Sequence, residues 1–295
     1  MTEISPSEPS RILLKEQIDE FSEELFNKID NEKWKDVAYA NLLGVKIFIK
    51  NGIAMIQEFE EASDRRHPQV HADTDVIYID SGPGPYSYNM LEPGKTDLDD
   101  VNYHKWNWSR KMDRARIRTA YTLASMITAQ RTGKKTTDLT SEDFEEFGPF
   151  LMYASVDWQA SHIKHALSLA RKKNTFKIPD SKLVMYEEYI SRDGITKPIV
   201  HTQDQIEGLK FPNNPDGNPP RRVVIVSHPA HLMRIMHILG KYPDSIPNGT
   251  KLQAFPISTP KEALREYAEG ELMGTLATVF KTGRASLKPY TNYEL

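Results

Sequence analysis

The sequence predicts an α/β fold, a Rossmann-like open and mostly parallel sheet with helices on both faces. Short runs of β-branched and other apolar residues alternate with longer segments of helical periodicity, which is the pattern of βαβ units. The runs lack the polar alternation of half-exposed strands, so we expect strands buried on both faces. Helical segments also precede the first run. The chain therefore divides into an N-terminal helical extension at 1–72 and an α/β domain with a C-terminal helical segment at 73–295.

Composition excludes several classes of protein. The chain has 295 residues, 39% hydrophobic and 27% charged, which is ordinary for a globular protein. Its formal net charge of −3 argues against a general nucleic-acid-binding protein. Because it has no cysteine, disulfides and thiolate metal sites are excluded. The first residues lack a basic region followed by an apolar one, so we expect no secretory signal. No apolar stretch reaches the roughly 20 residues that span a bilayer. We expect a cytoplasmic protein without membrane or nucleic-acid partners.

The N-terminal third is predicted to be helical. Apolar residues recur near a 3.6-residue period at 7–30, and weaker periodicity continues at 34–43 and 46–59. These segments favour a helical cap that packs on the core, and a dimer interface is the alternative, so a homodimer is possible. A charged linker at 64–73 leads to the main domain.

The first buried strand is predicted at 75–79, and a turn with Gly82 and Gly84 follows it. Such a turn can bring backbone N–H groups close to a phosphate or carboxylate. Because two prolines interrupt it and no helix follows at once, the pattern favours an ordinary loop. The segment 86–108 lacks periodicity and predicts a long loop. Its tyrosines and tryptophans can form either an aromatic wall over a ligand or a local core.

The helix predicted at 110–126 has Ser109 as its candidate N-cap. It carries Arg114, Arg116 and Arg118. Adjacent helical positions diverge by about 100°, so these arginines cannot share one face. One of them can point into a site while the others remain in water.

The remaining elements follow from the same patterns. In chain order they are a polar surface insertion at 130–146, a strand at 150–154, a helix at 155–170, a strand at 183–186, a helix that Thr202 can cap, a strand at 251–257 and a helix at 261–280. His162 and His165 are close enough in sequence to share a metal. Because no nearby carboxylate is evident to complete the ligand set, we predict no metal site.

The strongest functional pattern lies at 221–240. An apolar run at 223–226 predicts a buried strand, a polar turn breaks the run, and helical periodicity resumes until Gly240, the expected C-cap. In open α/β sheets, ligands bind at the carboxyl ends of strands. Four polar side chains follow this strand: Ser227, His228, His231 and Arg234.

These motifs follow one another in a recognisable order. They comprise the turn at Gly82 and Gly84, the helix start at Arg116, Ile117 and Ala120, the pair Glu188 and Ser191, the segment 201–205, and the strand end with Ser227, His231 and Arg234. Over 73–242 this order resembles the SanA/ElyC/YdcF-like family, a Rossmann-like domain of unknown function. Two positions depart from the family pattern. His201 stands where the family has asparagine, and Tyr-Ala-Ser at 153–155 stands where it has Ser-Gly-Gly.

The resemblance implies a small-molecule ligand that is anionic or nucleotide-like, since one family branch binds S-adenosylmethionine and others are linked to cell-envelope precursor metabolism. Arginine can grip carboxylate or phosphate with a bidentate fork. His231 suits a general acid or base, and Glu188 can serve as a base or accept from sugar hydroxyls. The candidate ligand-binding residues are Gly82, Gly84, Arg116, Ser191, Thr202, Ser227, His228 and Arg234.

Three functional interpretations remain open. The first is an enzyme that acts on a nucleotide-, adenosyl- or phospho-containing substrate at the carboxyl edge of the sheet. The second is a non-catalytic protein that binds S-adenosylmethionine or a nucleotide. In the third, His231 and Arg234 are buried side chains with a purely structural role. We favour the first, because polar residues follow several separate candidate strands.

Overall fold

A five-stranded parallel sheet forms the centre of the molecule. The computed structural model of the protein describes residues 17–64, 69–81, 103–154, 157–191, 193–259 and 264–295, without the side chains of 103–111, 157–159, 161 and 162. The sheet contains β1 (Thr74–Asp80), β2 (Phe150–Ala154), β3 (Leu183–Tyr186), β6 (Arg222–Ser227) and β7 (Lys251–Pro256). A separate antiparallel hairpin contains β4 (Glu188–Ile190) and β5 (Thr196–Pro198).

The strand order, β3-β2-β1-β6-β7, is that of a Rossmann-like open sheet and confirms the predicted fold class. The chain steps outward from β1 to β3 and then returns, so that β6 lies on the other side of β1. Every residue of β1 and β6 is buried, as their unbroken apolar runs predicted. Because the strand order reverses between β1 and β6, the crevice at their carboxyl ends is the expected ligand position.

Helices cover both faces of the sheet. They are α1 (Ile18–Ile29), α2 (Lys35–Ala40), α3 (Leu42–Ser63), α4 (Tyr103–Thr132), α5 (Ser141–Phe147), α6 (Asp157–Lys172), α7 (Thr202–Glu207), α8 (Pro229–Leu239) and α9 (Leu264–Ala277), with a π-helical turn at Thr278–Thr282. The core on one face unites α1–α3 with α8 and α9, and the core on the other face unites α4–α6. Within the described ranges, no helix combines the length and apolarity needed to cross a bilayer.

The N-terminal helices share their core with the sheet. Phe48 of α3 lies edge-on to His237 of α8, with ring centroids 4.7 Å apart. Trp34, just before α2, stacks on Phe280 at 5.9 Å. These contacts bury the apolar face that the sequence periodicity predicted for this region. Helices α1–α3 therefore form part of one side of the α/β layer structure.

The boundaries of two predicted segments were wrong. Helix α4 begins at Tyr103, so Ser109 lies inside it and is not its N-cap. The end of the loop predicted at 86–108 is therefore helical, and its part at 86–102 lies outside the described residues. The predicted insertion at 130–146 contains the end of α4 and α5 up to its last residue but one, and a capping box between Thr140 and Asp143 fixes the start of α5. Its apolar residues are too sparse to show a period.

The C-terminal tail closes the edge of the sheet beside β7. The backbone of Glu294 accepts from Ala254 N–H at 2.8 Å and donates to Leu252 O at 2.9 Å. Gly240 is the C-cap of α8, as predicted, but its φ of −61° is an ordinary helical value. A side chain at this position would place Cβ 2.2 Å from the carbonyl oxygen of Lys288. Gly240 is therefore required by the close approach of the tail.

Candidate functional site

Polar side chains meet where β1 and β6 end. Asp80 is the last residue of β1, Ser227 is the last residue of β6, and His228 is the N-cap of α8. Residues 79 and 226 pair in register, so Asp80 and Ser227 end adjacent strands at the same level. His231 lies in the first turn of α8 and is also buried. The structure thus brings Ser227, His228 and His231 together at the reversal of strand order.

The centre of the site is a histidine between two carboxylates. The Nε2 atom of His231 lies 3.0 Å from Oδ2 of Asp80, and its Nδ1 atom lies 2.9 Å from Oε1 of Glu271 in α9. All three side chains are almost completely buried. A protonated imidazole donates one N–H to each carboxylate, so this geometry favours the charged form of His231.

Burial and charge act in opposite directions on these three groups. Burial alone lowers the pKa of His231, but the charges of Glu271 and Asp80 and their hydrogen bonds outweigh it and raise the pKa above its usual value. Burial raises the pKa of Asp80 despite its positively charged neighbours. Burial also acts to raise the pKa of Glu271, yet His231, Arg234 and Arg116 bring it down to about 2. Glu271 is therefore the firmly ionised partner, while Asp80 holds a proton more readily.

Arg116 is enclosed by protein partners. Its Nε donates to Nδ1 of His228 at 3.1 Å, its Nη1 to Asp113 at 2.9 Å and its Nη2 to the hydroxyl of Tyr267 at 3.2 Å. Its side chain is 0% exposed. Burial, followed by the charges of Arg116 and His231, holds the pKa of His228 well below its usual value. His228 is thus neutral, with its proton on Nε2, because Nδ1 accepts from the guanidinium.

Arg234 is the cation of the cluster that remains accessible. Its Nη1 lies 3.4 Å from Oε2 of Glu271, and its side chain is 19% exposed. Its Nε is buried and has no hydrogen-bond partner among the described residues. A Cβ at Gly274 of α9 would lie 3.0 Å from Nη1, so the glycine leaves room for the guanidinium. Arg234 therefore retains a donor for an anionic ligand.

Several buried oxygens near the strand ends lack partners in the described part of the chain. They are Asp80 Oδ1, Gln205 Oε1 and Ser227 Oγ. Gln205 of α7 donates its Nε2 to the hydroxyl of Ser81, the residue after β1, at 3.0 Å, which places its amide next to the end of β1. Buried polar atoms are nearly always hydrogen-bonded, so unpartnered ones mark a position for water or ligand.

Other predicted site residues lie outside this cluster. Glu188 is exposed on β4, while its neighbour Tyr189 points inward toward Gly208 at the end of α7. The Ser191 hydroxyl donates to Asp193 and to Ile195 O, which fixes the turn of the β4–β5 hairpin. The sequence did not reveal this hairpin, because its strands are only three residues long.

Thr202 and the glycine turn complete the set of predicted ligand-binding residues. Thr202 is the first residue of α7, and the N-cap is His201, so the capping role proposed for Thr202 was wrong. The carboxylate of Asp204 instead accepts from the backbone N–H groups of Val200 and His201. Gly82 and Gly84 lie outside the described residues.

Four residues of the cluster were not predicted from the sequence: Asp80, Asp113, Tyr267 and Glu271. Gln205 was included only as part of the motif segment 201–205. Asp80 had a usable pattern, since it is the first polar residue after an apolar strand and such positions line sites in α/β sheets. Glu271 had none, because it lies in a helix beyond the region of resemblance and only the packing of α9 on α8 brings it to His231.

Among the described residues, no group of three or more His, Asp or Glu side chains is arranged to hold a metal ion. The chain was also compared with known proteins. It matches no protein family, no curated protein and no solved structure.

Proposed function

We propose that the protein binds a small molecule of the nucleotide, adenosyl or phosphorylated class between the carboxyl ends of β1 and β6 and acts on it as an enzyme. One observation carries the proposal. The buried side chains of Asp80 and Glu271 each form an ion pair with His231. This triad lies at the reversal of strand order, where open α/β sheets bind ligands. Arg116 and Arg234 flank them.

The energetics of burial support a functional interpretation. Removing each ion from water costs several kcal/mol, and replacing a buried ionic group with apolar side chains of similar volume is often neutral or stabilising. A cluster with this cost at a ligand-binding position therefore indicates chemistry or binding. Perturbed pKa values, such as those of Asp80 and His231, are also concentrated at functional sites.

The residues suggest a division of roles. Arg234, with its partly exposed guanidinium, suits a phosphate or carboxylate group of the substrate. The raised pKa of His231 favours its protonated form at neutral pH, so we assign it the part of a general acid that acts through Asp80, whose Oδ2 lies 3.0 Å from its Nε2. Arg116 holds His228 in one tautomer. In this assignment Arg116 does not touch the ligand itself and acts on it only by orienting His228.

A non-catalytic binding protein is the second candidate, and one observation favours it. Both ring nitrogens of His231 and all three guanidinium nitrogens of Arg116 already have protein partners. S-adenosylmethionine fits the remaining groups, because the unpartnered buried oxygens can accept from its hydroxyls and Arg234 can bind its carboxylate. Bound there, it would supply a transferable methyl group.

We also propose that the chain is related to the SanA/ElyC/YdcF-like family. Four of its motif positions, Arg116, Ser227, His231 and Arg234, lie in one cluster, which supports the relation. Glu188 and Ser191 lie in the β4–β5 hairpin and do not add to that support.

Native mass spectrometry of the freshly purified full chain tests the proposed function. We expect a small molecule to be retained by the wild type and lost from Arg234→Ala. Arg265→Ala is the matched control, because Arg265 lies in α9 and its guanidinium contacts Glu24 and the ring of Phe21 rather than the buried triad. Incubation followed by a mass change of the released molecule would separate an enzyme from a binding protein. A bare chain, with a melting temperature unaffected by nucleotides and S-adenosylmethionine, would contradict both.

A further inference from the structure

The unpartnered atoms at the site have a definite chemical character. Those at the strand ends are oxygens: Asp80 Oδ1, Gln205 Oε1 and Ser227 Oγ. A carboxylate or amide oxygen only accepts hydrogen bonds, whereas a serine hydroxyl can accept or donate. All three residues are at most 3% exposed. The innermost part of the site therefore suits a ligand group that donates hydrogen bonds.

The positive charges are distributed differently. Arg116 is fully committed to protein partners, and both ring nitrogens of His231 face carboxylates. Arg234 remains, partly exposed and with a free Nε. His201, before α7, is close enough to Arg234 for the charge of the guanidinium to act on it. A phosphate inside would meet Asp80 and Glu271 before any free cation, which like-charge repulsion disfavours.

We propose that the ligand enters with a hydroxyl-bearing sugar innermost, its hydroxyls donating to Asp80 and Gln205, while its anionic group remains outside on Arg234. This orientation rests on the proposed function and narrows it to a ribose-containing ligand. It also assigns new roles to the buried triad. Asp80 touches the ligand, and His231 and Glu271 are positioning residues that fix the Asp80 carboxylate through its Oδ2 atom.

Calorimetric titration of the full chain with three probes tests the orientation. The probes are adenosine 5′-monophosphate, its 2′,3′-dideoxy analogue and adenosine. On the wild type, we expect loss of both hydroxyls to weaken binding about tenfold or more, since hydrogen bonds to charged groups have that worth. Loss of the phosphate should weaken binding through Arg234. The comparison of the first two probes needs no variant, so it remains decisive if a substitution prevents folding.

Variants assign the two ends of the ligand. In Asp80→Asn, the ratio of affinities for the monophosphate and its dideoxy analogue should fall toward one, while Asp180→Asn, an exposed surface control, should leave the ratio unchanged. In Arg234→Ala, affinity for the monophosphate should fall while affinity for adenosine is retained, and Arg265→Ala should change neither.

Three results would overturn the orientation. Equal wild-type affinity for the monophosphate and its dideoxy analogue would show that the ribose hydroxyls make no contact with the protein. The proposed small-molecule site would not be affected by that result. If a folded Asp80→Asn variant kept the wild-type ratio of the two affinities, Asp80 would not contact the ligand. If none of the three probes binds the wild type, an adenine riboside is excluded as the ligand and the orientation is overturned, and the proposed function then depends on the molecule found by native mass spectrometry.

Discussion

At the scale of single residues, the site is a network in which few ionised groups can be changed alone. His231 connects Asp80 to Glu271, and Glu271 in turn contacts Arg234. Removing one member of a buried ion pair leaves the other charge uncompensated. This destabilises the protein more than replacing both members with apolar side chains of similar volume would. The residues proposed to act in function thus also support the fold.

Substitution of His231 should reveal this double role. We expect His231→Gln to lower the free energy of unfolding by about 3 kcal/mol, because a neutral amide removes the cation that lies between two buried carboxylates and leaves Asp80 without its ion-pair partner. Urea denaturation followed by circular dichroism measures the change. His165→Gln is the control, since His165 is exposed on α6 and should change stability by less than about 0.5 kcal/mol. Equal stabilities for the two variants would show that the carboxylates find other compensation.

Glu60 predicts a dependence of stability on pH. It is buried in α3, and burial raises its pKa from 4.5 to about 7. The unfolded chain therefore ionises Glu60 at lower pH than the folded protein does. Stability should be highest below the unfolded pKa, fall as pH rises between the two pKa values, and remain low above pH 7.

Thermal unfolding of Glu60→Gln between pH 4 and 8 tests this sign. The variant should lose the wild-type decline and be more stable than the wild type at pH 8, by about 3 kcal/mol for a shift of this size. Glu61→Gln, at the exposed neighbouring position, should keep the wild-type pH profile. If Glu60→Gln kept the wild-type dependence of stability on pH, ionisation of Glu60 would not change the free energy of unfolding.

At the scale of elements, β6 and α8 are the pair whose positions the local sequence determines best. The strand is buried throughout, its carboxyl end carries the polar turn, and Pro229 starts the helix at a position where its missing N–H is not needed. The end of α8 depends on another part of the chain. The backbone N–H of Tyr290 donates to the carbonyl of Met236 at 2.8 Å, so the tail caps the helix.

Gly240→Ala should detach this tail. The new methyl group would collide with the backbone at Lys288, and such overpacking typically costs about 1–3 kcal/mol. Limited proteolysis should then cleave the last ten residues faster than in the wild type. Gly133→Ala is the comparison, because Gly133 has a φ of +71° and nothing within 4 Å, so its substitution strains the backbone locally. If both variants protect the tail equally, the close approach does not hold it.

At the scale of the whole molecule, the N-terminal helices belong to the sheet's own core. Phe21, Leu25, Phe48, Ile53 and Phe59 are each at most 2% exposed. Full burial of each such side chain contributes about 1.5–3 kcal/mol before the conformational entropy of folding is subtracted, and the net stability of a typical domain is only about 5–15 kcal/mol. Because these side chains share one core with the sheet, we expect 18–63 and the α/β layers to unfold as a single cooperative unit.

Separate production of 73–295 tests this unity. We expect this fragment to aggregate or to lack a cooperative thermal transition, because the faces of α8 and α9 that pack against α3 would be open to water. Co-expression with 1–72 should restore a soluble complex with the wild-type transition. A cooperative transition from 73–295 alone would show instead that the helices are an independent extension.

The sequence by itself determined the sheet and the place of the polar turn after β6. Unbroken β-branched runs are stable only where both faces are buried, which is why the five parallel strands and their helices could be predicted. The polar residues after β6 could likewise be placed at the carboxyl edge of the sheet. Short-range patterns suffice for such features, because each depends on the residues next to it in the chain.

Only the tertiary structure decided which side chains meet. Asp80 and Glu271 reach His231 from a strand and a helix that are distant in sequence, and no local pattern encodes that contact. The fate of the arginines was decided in the same way, since Arg116 is enclosed by Asp113, His228 and Tyr267 while Arg234 stays partly open. The sequence determines which side chains carry charge and which can form hydrogen bonds. Whether protein groups satisfy those side chains or leave them for a ligand depends on packing across the whole molecule.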